Sequence, residues 1–255
     1  MSNETADVKR TAFITGASSG IGAATALALA RDNCDVAISA TRLENLAKTI
    51  DRLGGLGVRV LPVALDLRSQ ASIEQAMKTV VDTFGHLDIL VNKAAGVLYR
   101  SAAVDTRRDD WDAALATLLS GPFFMCRQMA RHLLAAKRPG CIINIGSTHG
   151  LAGFPGRSAY GIAKAAVMHM TRMLAIEWAG HGIRVNAVAP GSTATEANAT
   201  LQADPKILNT LLSRIPMRRI GSVDEIAGAV CYLARPQASY VTGQTLVVDG
   251  GLTAQ

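Results

Sequence analysis

Nowhere in the chain do about eighteen apolar residues run together, so no segment is suited to cross a bilayer as a helix. The first ten residues, MSNETADVKR, are polar and lack the apolar core of a secretory signal, and a cytoplasmic protein is expected. Cysteine is scarce and unpatterned. Cys34, Cys126, Cys141 and Cys231 fall in apolar runs without metal or redox spacing, which reads as four reduced packing residues and no metal site. Aromatic residues make up only 4% of the chain, too few for base-stacking platforms. The 26 Lys and Arg that give a net charge of +6 are scattered, with clusters no longer than Arg107-Arg108 and Arg218-Arg219. Nucleic-acid binding is therefore not expected, and the positive balance reads as a solvated surface with mild attraction for anionic ligands. No linker or low-complexity stretch divides the sequence. After a polar leader over residues 1–8, a single domain over 9–255 is expected.

What the sequence has is alternation. Short runs rich in β-branched residues, TAFIT, CDVAIS, VRVLPVAL, LDILVN, GCIINIGS, IRVNAVAP and QTLVVDGG, are separated by longer amphipathic segments such as IGAATALALARD and SVDEIAGAVCYLA. Strands alternating with helices predict an α/β fold, a Rossmann-type doubly wound parallel sheet of about seven strands covered by helices on both faces. One segment breaks the rhythm: residues 192–219, polar at the start and helical later, are expected to form a lid over a ligand.

The first strand runs into TGASSGIG and then a helix. Glycines at 16, 20 and 22 allow a sharp turn and close approach of a ligand, and the following helix offers unpaired N–H groups to a pyrophosphate. Gly16, Ser18, Ser19, Gly20, Ile21 and Gly22 are accordingly candidate dinucleotide contacts. In such folds the end of the second strand selects the cofactor, because an acid there bonds the adenosine ribose and repels a 2′-phosphate whereas a base attracts it. This chain has Thr41 and Arg42 at that place and no acid, which favours NADP over NAD, although Arg42 also reads as a surface residue opening a helix.

In SAYGIAK, Tyr160 and Lys164 stand four positions apart, on one face if the segment is helical. A nearby ammonium favours the phenolate and makes a tyrosine a usable acid or base. Alone, the pair is also what a half-buried tyrosine beside a solvated lysine looks like.

The glycine loop, Asp66-Leu67 after the third strand, VNKAAG after the fourth, Ser147 in NIGSTHG, Tyr160 with Lys164, and VAPGSTAT after the sixth occur together and in order. This set resembles the short-chain dehydrogenase/reductase family, over roughly residues 8–252, and most of all its 3-oxoacyl-acyl-carrier-protein reductase-like branch. The resemblance implies an NADP-dependent oxidoreductase that transfers a hydride between nicotinamide and a ketone or secondary alcohol. In it Tyr160 is the acid/base, Lys164 lowers the tyrosine's pKa and holds the nicotinamide ribose, and Ser147 bonds the substrate oxygen. It further implies that Asp66 and Leu67 contact adenine, that Asn92 and Ala94 line the adenosine side, and that Pro190, Gly191, Thr193 and Thr195 hold the nicotinamide end. A homotetramer built on helices around 111–135 and 158–180 and on the C-terminal strand is also implied. The substrate side remains open: an NAD-linked dehydrogenase of a secondary alcohol, sugar or polyol fits the same motifs.

Two positions depart from the family pattern. Lys93 replaces the second asparagine of NNAG, and Leu118 replaces an asparagine seven residues after Trp111 whose neighbourhood relays protons to the catalytic lysine. Leucine cannot make hydrogen bonds that hold a helix kink open. A weakened or rearranged relay is expected, with Ser120 as a substitute hydroxyl; a nucleotide-binding protein with little catalysis is the alternative. His149, two residues after Ser147, reads first as a satisfied loop histidine, and Arg138 as an exposed surface residue.

Overall fold

Each of the seven β-branched runs becomes a strand of one sheet in the computed structural model, which describes residues 9–93, 101–196, 199 and 204–254. The strands are β1 (Thr11–Ile14), β2 (Asp35–Ala40), β3 (Val60–Ala64), β4 (Ile89–Asn92), β5 (Gly140–Ile145), β6 (Ile183–Pro190) and β7 (Thr245–Val248). Their order is β3-β2-β1-β4-β5-β6-β7 and every pairing is parallel. Between the strands lie α1 (Gly20–Arg31), α2 (Ala47–Leu53), α3 (Gln70–Phe84), α4 (Arg108–Leu115), α5 (Gly121–Ala136), α6 (Ser158–Trp178), α7 (Pro205–Ser213) and α8 (Val223–Ala234).

The period-2 geometry of a strand sends successive side chains to opposite faces, and here both faces are apolar because both are covered. Phe13, Leu90 and Ile142 point into one core with Ile73 of α3, Met125 of α5 and Val167 of α6. Their neighbours Ile14, Ile89, Val91 and Ile143 point into the other, against Leu27 of α1 and Ile226 and Val230 of α8. Small residues along α1, Gly22, Ala23, Ala26 and Ala30, are buried and let α8 pack close beside it. Ser222 and Glu225 start α8 with reciprocal bonds: Glu225 N donates to Ser222 Oγ at 3.2 Å and Ser222 N to Glu225 Oε2 at 2.7 Å.

The four cysteines are reduced and buried, Cys126 in the first core and Cys34, Cys141 and Cys231 in the second. Among the described residues no helix is long and apolar enough to cross a membrane.

Because β1 and β4 are neighbours while the chain visits β2 and β3 between them, the connections leave their C-terminal ends in opposite directions and open a crevice there. The motifs after the strands collect along that edge. In the expected lid, the helical part is α7, capped by Asp204, whose Oδ1 accepts from Lys206 N at 2.8 Å; residues 197, 198 and 200–203 lie outside the described part.

Candidate functional site

The glycine loop leaves β1 pinned on both sides. Thr15 N donates to Val91 O at 3.0 Å, Ala17 N to Ser39 O at 2.9 Å, and the Thr49 hydroxyl to Ala17 O at 2.9 Å. Gly16 turns with φ +64°. A Cβ on Gly22 would come within 2.3 Å of Gly16 O, so the loop and the first turn of α1 touch backbone to backbone. Ser19 occupies the N-cap of α1 without a side-chain cap bond, which leaves the first-turn N–H groups directed at the crevice for an anion. Across the crevice, the Thr195 methyl would lie 3.4 Å from a Cβ on Gly20, bringing the segment after β6 onto the loop. That segment is held by Gly191 N donating to Val248 O at 2.9 Å and by the Thr193 hydroxyl on Gly191 O at 3.1 Å. At the end of β2, Arg42 is exposed and makes no ion pair among the described residues.

Three other expected contacts are engaged by the protein itself. Asp66 accepts from Arg68 at 3.0 and 2.8 Å, and that pairing holds its carboxyl below the usual range. Leu67 is buried in the core beneath α5, so only its backbone is left for a ligand. Asn92 crosses from β4 to β5: its Nδ2 donates to Asn144 Oδ1 at 2.9 Å, and Asn144 Nδ2 donates to the Thr171 hydroxyl at 2.9 Å. This buried ladder stiffens the strand ends, and Asn144 and Thr171 carry no sequence signal beyond being polar residues in apolar runs. Ile21 packs its side chain toward the second core, and Ser18, like Ser19, is partly exposed in the loop. Ala94 lies outside the described residues.

The proton-transfer candidates meet where β5 ends and α6 begins. Ser147 is buried and N-caps a short 3-10 turn, Thr148–Gly150, accepting from His149 N at 3.2 Å. Tyr160 stands in the first turn of α6 and Lys164 one turn on, with its Nζ 5.8 Å from the Tyr160 ring centre. Lys164 is buried, and its ammonium donates to Ile145 O at 2.6 Å. Burial pushes the Tyr160 phenol up, opposed by a Ser147 hydrogen bond and by the charge of Arg157. Burial also brings Lys164 down to about 8, with a further push from the Lys93 charge. The expected lowering of the tyrosine by Lys164 is therefore not seen: burial outweighs the groups that oppose it, and the raised phenol is placed to donate a proton at neutral pH.

Leu118 behaves differently from the sequence expectation. The wide π-helical turn over Ala116–Ser120 forms without the asparagine. Leu118 is buried in a small apolar cluster with Ala114 and Ala163, against Ala159 and Tyr160, so packing replaces hydrogen bonding in holding the turn. The turn brings Gly121 over Leu67, where a Cβ would meet Leu67 Cβ at 2.6 Å. Ser120, the suggested substitute, is exposed. Besides the Ile145 carbonyl it holds, Lys164 feels the charge of Lys93, which is itself lowered by burial. In the register Asn92 faces Asn144, which sets Lys93 beside Ile145, whose carbonyl Lys164 holds.

A family model described as Enoyl-(Acyl carrier protein) reductase matches residues 16–253. The chain is 38% identical over 240 residues to a 3-oxoacyl-[acyl-carrier-protein] reductase of Thermotoga maritima, covering 94% of this chain and 96% of that protein. It is 37% identical over 246 residues to the 2-dehydro-3-deoxy-D-gluconate 5-dehydrogenase of Escherichia coli, covering 96% of each. Among solved structures, a short-chain type dehydrogenase/reductase from Mycobacterium marinum superposes with a TM-score of 0.92 at 32% identity, over 98% of both chains. A candidate 2-deoxy-d-gluconate 3-dehydrogenase from Agrobacterium tumefaciens, with bound NADP, does so at 0.90 and 35% identity over the whole of both.

Proposed function

Because the chain belongs to the short-chain dehydrogenase/reductase family, and so to the oxidoreductases, we propose that it interconverts a ketone and a secondary alcohol with NADP, using Ser147, Tyr160 and Lys164. The observation that carries this reading is the meeting of those three side chains at the β5–α6 junction, with Lys164 one helical turn from Tyr160, its Nζ 5.8 Å from the tyrosine ring centre and bonded to Ile145 O. The crevice fits a dinucleotide: an uncapped helix N-terminus, a loop with backbone-to-backbone packing at Gly22, and Thr195 against Gly20. Gly16, Ser18, Ser19, Gly20, Ile21, Gly22, Asp66, Leu67, Asn92, Pro190, Gly191, Thr193 and Thr195 would line it, the buried ones through their backbone. When bound, the nicotinamide supplies the hydride.

The protein's own part is the proton and the charge. As a carbonyl carbon is reduced, negative charge builds on its oxygen, and Ser147 and Tyr160 donate to that oxygen. Tyr160 then gives up its proton, and the Lys164 ammonium stabilises the phenolate left behind. In the reverse direction the phenolate accepts the alcohol proton. Relatives of nearly equal identity carry names from 3-oxoacyl reduction to sugar-acid oxidation, so they do not narrow the substrate. A panel of ketones and alcohols assayed with both cofactors tests the reading; no turnover with either cofactor would overturn it.

Exposed Arg42 at the end of β2 supports NADP over NAD. Arg42→Asp should lower the ratio of kcat/KM with NADPH to that with NADH by about a hundredfold, since a charge-assisted bond to the 2′-phosphate is replaced by repulsion. A wild type that already prefers NADH would remove Arg42 as the selector.

A single-domain subunit in a homotetramer is the assembly we favour. The expected faces leave apolar side chains exposed: Phe123 and Leu134 of α5, Met173 and Ile176 of α6, Leu246 and Val247 of β7. Ile176 is 80% exposed and lines a groove of about 540 Å³ between α6 and β7. Light scattering at micromolar concentration is expected to give four times the subunit mass, and a monomer would contradict the assembly.

A further inference from the structure

At the end of the sheet opposite the crevice, His86, Leu87 and Asp88 lead the chain into β4, and neighbouring elements hold them there. Asp88 Oδ2 accepts from Thr11 N at 2.8 Å and from the Thr11 hydroxyl at 3.3 Å, and His86 Nε2 lies 3.2 Å from the same oxygen. Asp88 Oδ1 accepts from Arg138, just beyond α5, at 3.0 Å, and Asp88 O accepts from Cys141 N at 2.8 Å. Between these bonds, Leu87 N donates to Nε2 of His132, on α5, at 3.3 Å. The Leu87 side chain is fully buried, and its N–H has no other acceptor among the described residues.

An imidazole nitrogen that accepts a hydrogen bond carries no proton, so the His132 ring is neutral with its hydrogen on Nδ1. Burial lowers the His132 pKa from its ordinary value; the charges of Arg138 and His86 lower it further, and only Asp88 opposes them. The Asp88 carboxylate is already engaged by Thr11, His86 and Arg138. Other charges on the packed elements are occupied or turned to solvent. On α3, Glu74 meets Arg127 and Gln128 about a turn before His132, and Lys78 pairs with Asp82; Arg131 and Lys137 of the α5 end are exposed. Nearer its start, α5 is tied to β4 a second time, by Asn92 Nδ2 at 3.4 Å from Pro122 O and 3.2 Å from Cys126 Sγ. An amide does not titrate, so the two ties answer differently to pH.

We propose that His132 is an acid-released clasp: neutral, it fastens the far end of α5 to the entry of β4, and once protonated it frees that end while Asn92 keeps the crevice end in place. A protonated ring carries N–H on both nitrogens and turns one of them against the Leu87 N–H, which then loses a buried partner. In the unfolded chain histidine titrates near ~6.5, above its lowered value in the fold. The stability the clasp contributes is therefore complete above about pH 6.5 and is lost as the pH falls through the folded value. The clasp is independent of the reaction assigned to the crevice.

Hydrogen exchange of the wild type, corrected for the intrinsic effect of pH, tests this directly. Between about pH 7.5 and pH 5, Leu87 and residues 129–138 should exchange about tenfold faster or more, while residues 121–128 stay within about threefold. His132→Gln sets a non-titrating amide oxygen where Nε2 accepts, and its Tm should fall by about 2–4 °C less than that of the wild type over the same range. In histidine-labelled protein, the resonance missing from that variant should titrate below about 6.5 with its hydrogen on Nδ1. A wild type whose α5 end keeps its protection in acid, or loses it no more than the rest of the chain, would overturn the proposal even if the glutamine variant failed to fold. So would a His132 resonance titrating at or above about 6.5, or a glutamine variant with the full wild-type fall in Tm.

Discussion

Tyr160→Phe is expected to lower kcat by about a hundred- to ten-thousandfold, the contribution of a positioned general acid, and to leave the affinity for NADPH within about threefold. The substitution removes one oxygen and keeps the ring. That ring packs on Leu118, Ala159 and Ala163 and against the His149 edge, contacts phenylalanine preserves. Ser147 loses a partner but retains His149 N, so the site is not left with a stranded hydroxyl. The measurement is steady-state ketone reduction beside a fluorescence titration with NADPH. Most of the activity surviving in the variant would remove Tyr160 from the proton step. The direction of its pKa also sets the wild-type pH behaviour. Burial raises the phenol, so reduction, which needs the protonated form, should hold through neutral pH. Alcohol oxidation needs the phenolate and should climb on the alkaline side.

Gly22→Ala is expected to weaken NADPH binding by about ten- to a hundredfold and to cost about 1–3 kcal/mol of stability, as overpacking in a rigid site does. The added Cβ meets Gly16 O at 2.3 Å and the Ala17 Cα at 2.9 Å, both main-chain atoms that no rotamer change can move aside. The loop cannot easily yield, because the bonds of Ala17 to Ser39 and of Thr49 to Ala17 hold it to the end of β2 and to α2. Cofactor affinity and Tm measured together decide the matter. A lowered Tm with undisturbed affinity would show that the glycine serves packing alone and that the pyrophosphate lies elsewhere.

Much of this architecture could be read from the linear chain because parallel strands buried on both faces need continuous β-branched runs, and all seven such runs became strands. The placing of Tyr160 and Lys164 one turn apart was legible for a similar reason. Tyr160 and Lys164 are neighbours along one helix, so their spacing carries their geometry. Leu118 shows the limit. Its departure from the family pattern was visible, but a lost hydrogen bond does not reveal that Ala114, Ala159 and Ala163 offer an apolar seat that keeps the wide turn. Lys93 departs visibly from the family pattern, yet its closeness to Lys164 depends on the pairing of β4 with β5. Arg214 meets Phe154 from sixty positions further along the chain, and Asn92 spends its amide on Asn144, contacts that only the folded register creates. Asp66 was read as an adenine contact without the competing Arg68 two residues on.

The four thiols divide between the two cores on either face of the sheet, Cys126 on the buried side of α5 and three on the α1 and α8 side. Burial pushes Cys126 up to about 12 and Cys34, Cys141 and Cys231 up to about 11, so the reactive thiolate is scarce at neutral pH even before access is considered. Alkylation of the native protein can then proceed only through transient opening, and its rate becomes a clock for that opening rather than a property of the surface. Since Cys126 and the other three report different layers, the order in which they are modified tells which side of the sheet loosens first.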